Sequence, residues 1–245
     1  MDILHSINLL YSASGFAVGV LVGMTGVGGG SLMTPLLVLA FGIHPTTAVG
    51  TDLLYAAATK TVGTAVHGAG RTVDWRIVGR LAAGSVPATI LTLLALARWG
   101  KQLSGAHGVI TSVLGGALIL TAAAIFFRGR IVDFFAKRAG PENPRRTVVL
   151  TVLLGAALGA LVSLSSVGAG AIGMTVLLVL YPRAPVARLV GSDIAHAVPL
   201  TLLGGLGHWM MGSVDWHLLI SLLSGSIPGI VIGSLLSART PDKVL

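Results

Sequence analysis

The sequence predicts an all-α fold: a polytopic helical membrane protein of two homologous halves, each interrupted by a glycine-rich broken or re-entrant helix. Three observations predict it. The first is composition. Of 245 residues, 54% are hydrophobic and only 10% charged, with a mean hydropathy of +0.91. Soluble domains carry about 25% charged residues. This chain lacks the charge to coat a water-exposed surface, which excludes a soluble enzyme, and the same composition excludes disorder. The second is a series of apolar runs of membrane-spanning length. The third is an internal repeat.

The runs 46–66, 77–97 and 109–127 each approach the roughly twenty residues that a spanning helix needs, as do 186–210 and 218–236. Two longer apolar stretches are interrupted. Residues 9–43 are broken by Gly26-Val27-Gly28-Gly29-Gly30, and residues 148–181 by Ser165-Ser166-Val167-Gly168-Ala169-Gly170. Such clusters break helices. With 34 glycines and 5% aromatic residues, the composition suits helices packed closely in a bilayer. There is no cysteine, so disulfides, cysteine-ligated zinc and thiolate catalysis are excluded.

The net charge of +8 does not point to nucleic acid. Its densest cluster, Arg128, Arg130, Lys137, Arg138, Arg145 and Arg146, lies in one polar stretch between apolar runs, where the positive-inside rule places basic residues. Residues 1–8 carry no basic residue and no signal-peptide pattern. The expected location is a membrane, crossed several times.

The halves match in order. Val27-Gly28-Gly29-Gly30 corresponds to Val167-Gly168-Ala169-Gly170, and Pro45 to Pro185. After one inserted residue, Gly50-Thr51-Asp52 corresponds to Gly191-Ser192-Asp193, His67 to His208, Val73-Asp74-Trp75 to Val214-Asp215-Trp216, and Gly84-Ser85-Val86-Pro87 to Gly225-Ser226-Ile227-Pro228. The chain divides into a first transmembrane repeat (1–127), a basic cytoplasmic linker (128–146) and a second repeat (147–245). If each interrupted stretch doubles back, Arg183, Arg188, Arg239 and Lys243 join the linker on the inside. Each half then crosses an odd number of times, so the repeats are expected to be inverted, with an external N-terminus. The second half stops where the copy of 109–127 is due, and a truncated last helix is expected.

Repeated halves with interrupted hydrophobic segments point to a transporter binding site. Unpaired backbone in a mid-membrane break is tolerated where it lines a cavity, and helix N-termini there suit an anion. The candidate substrate-binding residues are Thr25, Gly28, Gly29, Gly30 and Ser31 at one tip, Ser165, Ser166, Gly168 and Gly170 at the other, and Lys60 as counter-charge. The glycines could instead serve only close helix crossing. Asp52, Asp193 and His196 are candidates for coupling or charge relay, because intramembrane ionisable groups are costly. Two plainer readings stand beside these: Lys60 in a structural ion pair with Asp193 or Asp52, and His196 as a core histidine bonded to Asp193. His67 and His208, near helix ends, suit loop or interface roles. Asp74-Trp75 and Asp215-Trp216 fit helix caps with interfacial anchors, and Pro87 and Pro228 fit kinks.

At these residues the chain resembles the sulfite exporter TauE/SafE family of membrane proteins. The resemblance rests on Gly26-Val27-Gly28-Gly29-Gly30 followed by Pro35, on Ala48-Val49-Gly50-Thr51, on His67, Gly70 and Val73-Asp74, and on their second-half echoes. It implies a helical transporter with two related halves and a small sulfur-containing anion, sulfite or an organosulfonate, as substrate. The sequence departs from the pattern at Ala169 and Thr175, where the first half has Gly29 and Pro35. The expected function is secondary transport of that anion. The alternative is a passive anion channel. An intramembrane enzyme lacks a recognisable nucleophile–base pair, so no catalytic residue, cofactor or metal is expected. Expected partners are the small anion and membrane lipid, with no nucleic acid; a homo-oligomer is compatible with the sequence.

Overall fold

The computed structural model describes residues 8–25, 32–99, 106–138 and 144–237. Among the described residues, every regular element is helical: α1 (Leu9–Thr25), α2 (Met33–Pro35) running into a π-helical turn (Leu36–Ala40), α3 (Pro45–Ala69), α4 (Trp75–Trp99), α5 (Ala106–Phe126), α6 (Arg128–Arg138), α7 (Pro144–Ser165), α8 (Ala171–Leu180), α9 (Val186–Met210) and α10 (Trp216–Ser237). Among the described residues, four helices are long and apolar enough to cross a membrane: Trp75–Arg98, Pro144–Ser165, Val186–Met210 and Trp216–Leu236. The pair Ile110–Phe126 and Arg128–Phe135, bent by 67°, is a fifth candidate. Large apolar side chains such as Leu91, Ile119 and Leu94 point outward, as lipid solvation requires. The protein is a multi-pass helical membrane protein.

The run 46–66 forms the body of α3, but α3 is not among those spans. The reason is chemical. The helix carries Asp52, Lys60 and several threonines, and most of its first four turns are buried in the protein rather than in lipid. The start of the basic linker is also more ordered than a loop: α6 occupies 128–138, with the Arg130 guanidinium 5.8 Å from the centre of the Phe127 ring.

Side chains and backbone cooperate at the helix starts. Asp74 accepts from the Arg76 N–H at 3.0 Å, and Asp215 from the Leu218 N–H at 3.0 Å, so both act as N-caps. Their own N–H groups cross to the opposite half. Asp74 N–H donates to Ser192 Oγ at 2.8 Å, and Asp215 N–H to Thr51 Oγ1 at 3.0 Å. The corresponding Trp75 and Trp216 stay exposed.

Close approaches fix the helix directions. A Cβ at Gly50 would meet His208, one at Gly204 would meet Leu53, and one at Gly63 would meet Ile194. As numbers rise along α3 they fall along α9, so these equivalent helices run antiparallel. Gly84 and Gly155 instead interlock α4 with α7 in parallel, and Gly225 and Gly15 do the same for α10 and α1. The first long helix of each half therefore packs against the helix that follows α3 or α9 in the other half. A Cβ at Gly84 would fall on the Val152 carbonyl, and one at the matching Gly225 on the Ser12 carbonyl. Without a hydrophobic driving force between helices in lipid, this close contact is what holds them.

Gly84→Ala and Gly225→Ala should each destabilise the protein by about 1–3 kcal/mol through overpacking. Gly79→Ala, with nothing within 4 Å of the added carbon, should not. Thermal unfolding of the three variants in detergent checks this.

Candidate functional site

The antiparallel α3–α9 pair carries the buried charges. Lys60 is 2% exposed, and Asp52, Asp193 and His196 are fully buried. The contact of Gly63 with Ile194 sets Asp193 about one turn beyond Lys60 on the α3 side, while Asp52 lies about two turns before it. The Lys60 ammonium thus lies between the levels of two carboxylates and within electrostatic range of both. Neither carboxylate makes a contact ion pair with it among the described residues.

The two carboxylates have different surroundings. Asp52 Oδ2 accepts from Thr34 Oγ1 and, at 3.0 Å, from Ser166 Oγ. Its Oδ1 has no partner. Asp193 has no hydrogen bond on either oxygen, and a Cβ at Gly173 would lie 3.0 Å from its Oδ1. His196 is not bonded to Asp193, contrary to the sequence expectation. Its Nε2 pairs with Ser85 Oγ at 2.9 Å and its Nδ1 is unpartnered. The antiparallel crossing turns the ring towards α4, where the matching position in α3, Tyr55, faces Ser226 on α10.

Ser166 reaches Asp52 because α7 ends one residue earlier. The last ordinary bond runs from Ser166 N–H to the Val162 carbonyl at 2.7 Å. Ser166 then takes φ +58° and Gly168 φ +109°, a conformation glycine adopts without penalty. The Val167 N–H, which would continue the helix onto the Ser163 carbonyl, turns to Ser165 Oγ at 3.2 Å. That orphaned carbonyl is taken by His208 Nε2 at 2.9 Å, which must therefore carry the proton. His67 and His208 are both buried: His67 Nδ1 pairs with Thr72 Oγ1 of the loop after α3 at 2.8 Å, and His208 joins α9 to α7, in keeping with the loop or interface roles expected of them. Ser163 precedes the break by the same offset as Gly23 in the first half, and His67 lies against the Gly23 backbone.

The remaining sequence candidates divide as follows. Ser165 Oγ bonds the Leu161 carbonyl at 2.8 Å, and Thr25 Oγ1 the Leu21 carbonyl at 2.7 Å, so both hydroxyls turn back onto their own helices. Gly170 precedes α8, and the Gly168 carbonyl accepts from Ile172 and Gly173 at 3.1 and 3.2 Å, which uses two donors of the first turn of α8. Gly28, Gly29, Gly30 and Ser31 lie outside the described residues. Thr34, Ser85 and His208 were missed as site residues. Thr34 had one signal, a polar residue amid apolar ones just after the first glycine cluster; for Ser85 and His208 the repeat marked the positions but not their partners.

Two cavities lie away from these charges. One of about 500 Å³ is lined by Val62, Val66, His67, Thr72 and Ser234, and one of about 270 Å³ by Arg80, Thr147, Tyr181 and Arg183. Neither includes Lys60 or the carboxylates in its wall, and those side chains are buried.

Removing the His208 ring should leave a buried carbonyl unpaired, at a cost of about 1–3 kcal/mol. His208→Ala should lower the unfolding temperature in detergent, and His208→Gln, which keeps an N–H donor, should recover part of the loss.

Comparison with known proteins adds to this geometry. Residues 11–245 match the family described as Sulfite exporter TauE/SafE. The chain is 39% identical over 239 residues to the probable membrane transporter protein YjnA of Bacillus subtilis, covering 94% of this chain and 91% of that one. It is 30% identical over 237 residues to the probable membrane transporter protein YdhB of the same organism, covering 94% and 90%. A probable membrane transporter protein of Xylella fastidiosa is 26% identical over 230 residues, covering 92% and 83%. No solved structure matches the chain.

Proposed function

Because the chain belongs to the sulfite exporter TauE/SafE family, we propose that it is a secondary transporter moving a small sulfur-containing anion, sulfite or an organosulfonate, across the inner membrane. The observation that carries this reading is Lys60, a single ammonium buried mid-helix in α3 and within electrostatic range of Asp52, which Ser166 of the α7 break contacts. A buried cation in a membrane protein is a functional group by default. It offers an oxyanion a charge-assisted contact in a low-dielectric setting. The α7–α8 break supplies Ser165, Ser166, Gly168 and Gly170, and Thr25, Gly28, Gly29, Gly30 and Ser31 are the corresponding residues of the first half.

The antiparallel course of α3 and α9, together with the reciprocal bonds of Asp74 with Ser192 and Asp215 with Thr51, supports inverted repeats. Rocking of such halves around a fixed central site exposes it to each side in turn. Lys60, Asp52, Asp193 and His196 are all buried, a property that an occluded intermediate of such a cycle requires. Asp52, Asp193 and His196 are the groups that link anion movement to a driving ion. The basic residues from Arg128 to Arg146 mark the cytoplasmic side.

Detergent-purified protein titrated with sulfite, sulfate, thiosulfate, sulfoacetate and chloride tests this reading. One sulfur oxyanion should bind saturably. Loss of the Lys60 contact should cost about 1.5–3 kcal/mol, roughly a tenfold to hundredfold weaker affinity. Lys60→Met should show that loss while still unfolding cooperatively. Unchanged affinity would remove Lys60 from the site. Flux in liposomes that never saturates would mark a passive anion channel instead.

A further inference from the structure

The cluster around Lys60 holds two buried carboxylates and one ammonium. If all three were charged, the protein would enclose a net negative charge in its lowest-dielectric region. Uncompensated buried charge costs several kcal/mol even after relaxation. One more positive charge is needed, and the surroundings of the two carboxylates decide where it goes.

Asp52 is built to stay ionised. Two hydroxyls, Thr34 Oγ1 and Ser166 Oγ, donate to its Oδ2, and hydrogen bonds to the charged form favour it. Among the described residues Asp193 has no donor, and both of its oxygens are buried and unpartnered. The repeat explains the difference. The position matching Thr34 is Met174, and the position matching Ser166 is Gly26, so neither hydroxyl has a counterpart. Lys60 has none either, because Thr201 stands at its position. Of the titratable groups on α9 and the helices packed against it among the described residues, Tyr55 and His67 on α3, Arg76 and Arg80 on α4 and Arg188 and His208 on α9 stand at other levels of their helices, and Lys60 is the charge that acts on Asp193, with His196 one turn along its own helix. That ring is buried and held by Ser85 through its Nε2. A metal ion needs several oxygens around it, whereas a proton needs one lone pair.

We propose that Asp193 is a proton-binding site: in this conformation it holds one proton, while Lys60 and Asp52 remain charged. The neutral carboxyl resolves the charge count, and it leaves Lys60 facing one fixed negative charge rather than two. An incoming anion therefore meets an attractive ammonium only when Asp193 is protonated, and proton and anion occupancy become linked. This consequence rests on the transport reading; the proton site does not.

Infrared spectroscopy of the purified protein in lipid nanodiscs reads the site directly, without any anion. Only 8 Asp and Glu side chains are present, so the stretch of a protonated carboxyl in an apolar setting is assignable. At neutral pH the wild type should show one such band. Asp193→Asn should lose it completely, and Asp52→Asn should keep it. Gly173→Ala, which presses a carbon against Asp193 Oδ1, should shift the band without removing it, and it reads the assignment independently if Asp193→Asn does not fold. No band in the wild type, a band lost in Asp52→Asn but kept in Asp193→Asn, or a band unmoved in Gly173→Ala would each overturn the proposal. A site confirmed this way in a protein that binds none of the sulfur anions would leave the proton site standing and defeat the transport reading alone.

Discussion

The arrangement of this protein depends on one electrostatic constraint: a single ammonium, Lys60, is buried with two carboxylates, Asp52 and Asp193, where water cannot screen them. Charges at this depth are tolerated only when the protein replaces the solvation they have lost. Much of the local structure supplies that replacement. The Thr34 and Ser166 hydroxyls turn to Asp52, and Lys60 sits between the levels of the two acids, within electrostatic range of both.

The broken helix belongs to the same arrangement. If α7 continued past Ser165 as regular helix, Ser166 would follow the helix surface rather than turn to Asp52. The break orphans the Ser163 carbonyl, and His208, from the far end of α9, takes it up. Gly50, in the second turn of α3, packs against the same histidine. The break, the histidine and the start of α3 thus form one unit. A helix end in a membrane needs a partner for each polar group it exposes, so moving any one member has to disturb the others.

Close packing positions this unit. The glycines of α1 and α10, and of α4 and α7, bring backbones near enough that a methyl group would collide with a carbonyl. These pairs clamp the α3–α9 core from both sides, and the pairing crosses between halves. Neither half can bury its own α3 or α9 without helices from the other. The reciprocal N–H bonds of Asp74 and Asp215 to hydroxyls on the opposite half tie the same interface at its edges.

How far the sequence reached follows from what is local and what is not. Apolar length, glycine breaks and the correspondence of Asp52 with Asp193 are written along the chain. The membrane class, the places where helices end and the family resemblance could therefore be read from it. Helix caps at Asp74 and Asp215 were legible for the same reason, since a cap involves neighbours within three residues. Lys60 and the acids could be named as buried charges, but not their partners. Thr34 and Ser166 meet Asp52 from two other elements, Ser85 reaches His196 from α4, and His208 finds a carbonyl 45 residues away. The expected His196–Asp193 bond failed because spacing on one helix says which side chains are near each other, not which way each turns once a third helix packs against them. The sequence by itself determined that this chain lives in a membrane as two related halves carrying buried charge. Only the tertiary structure decided which carboxylate is clothed with hydroxyls and which is bare, because in a low-dielectric interior that difference is made by groups from distant segments.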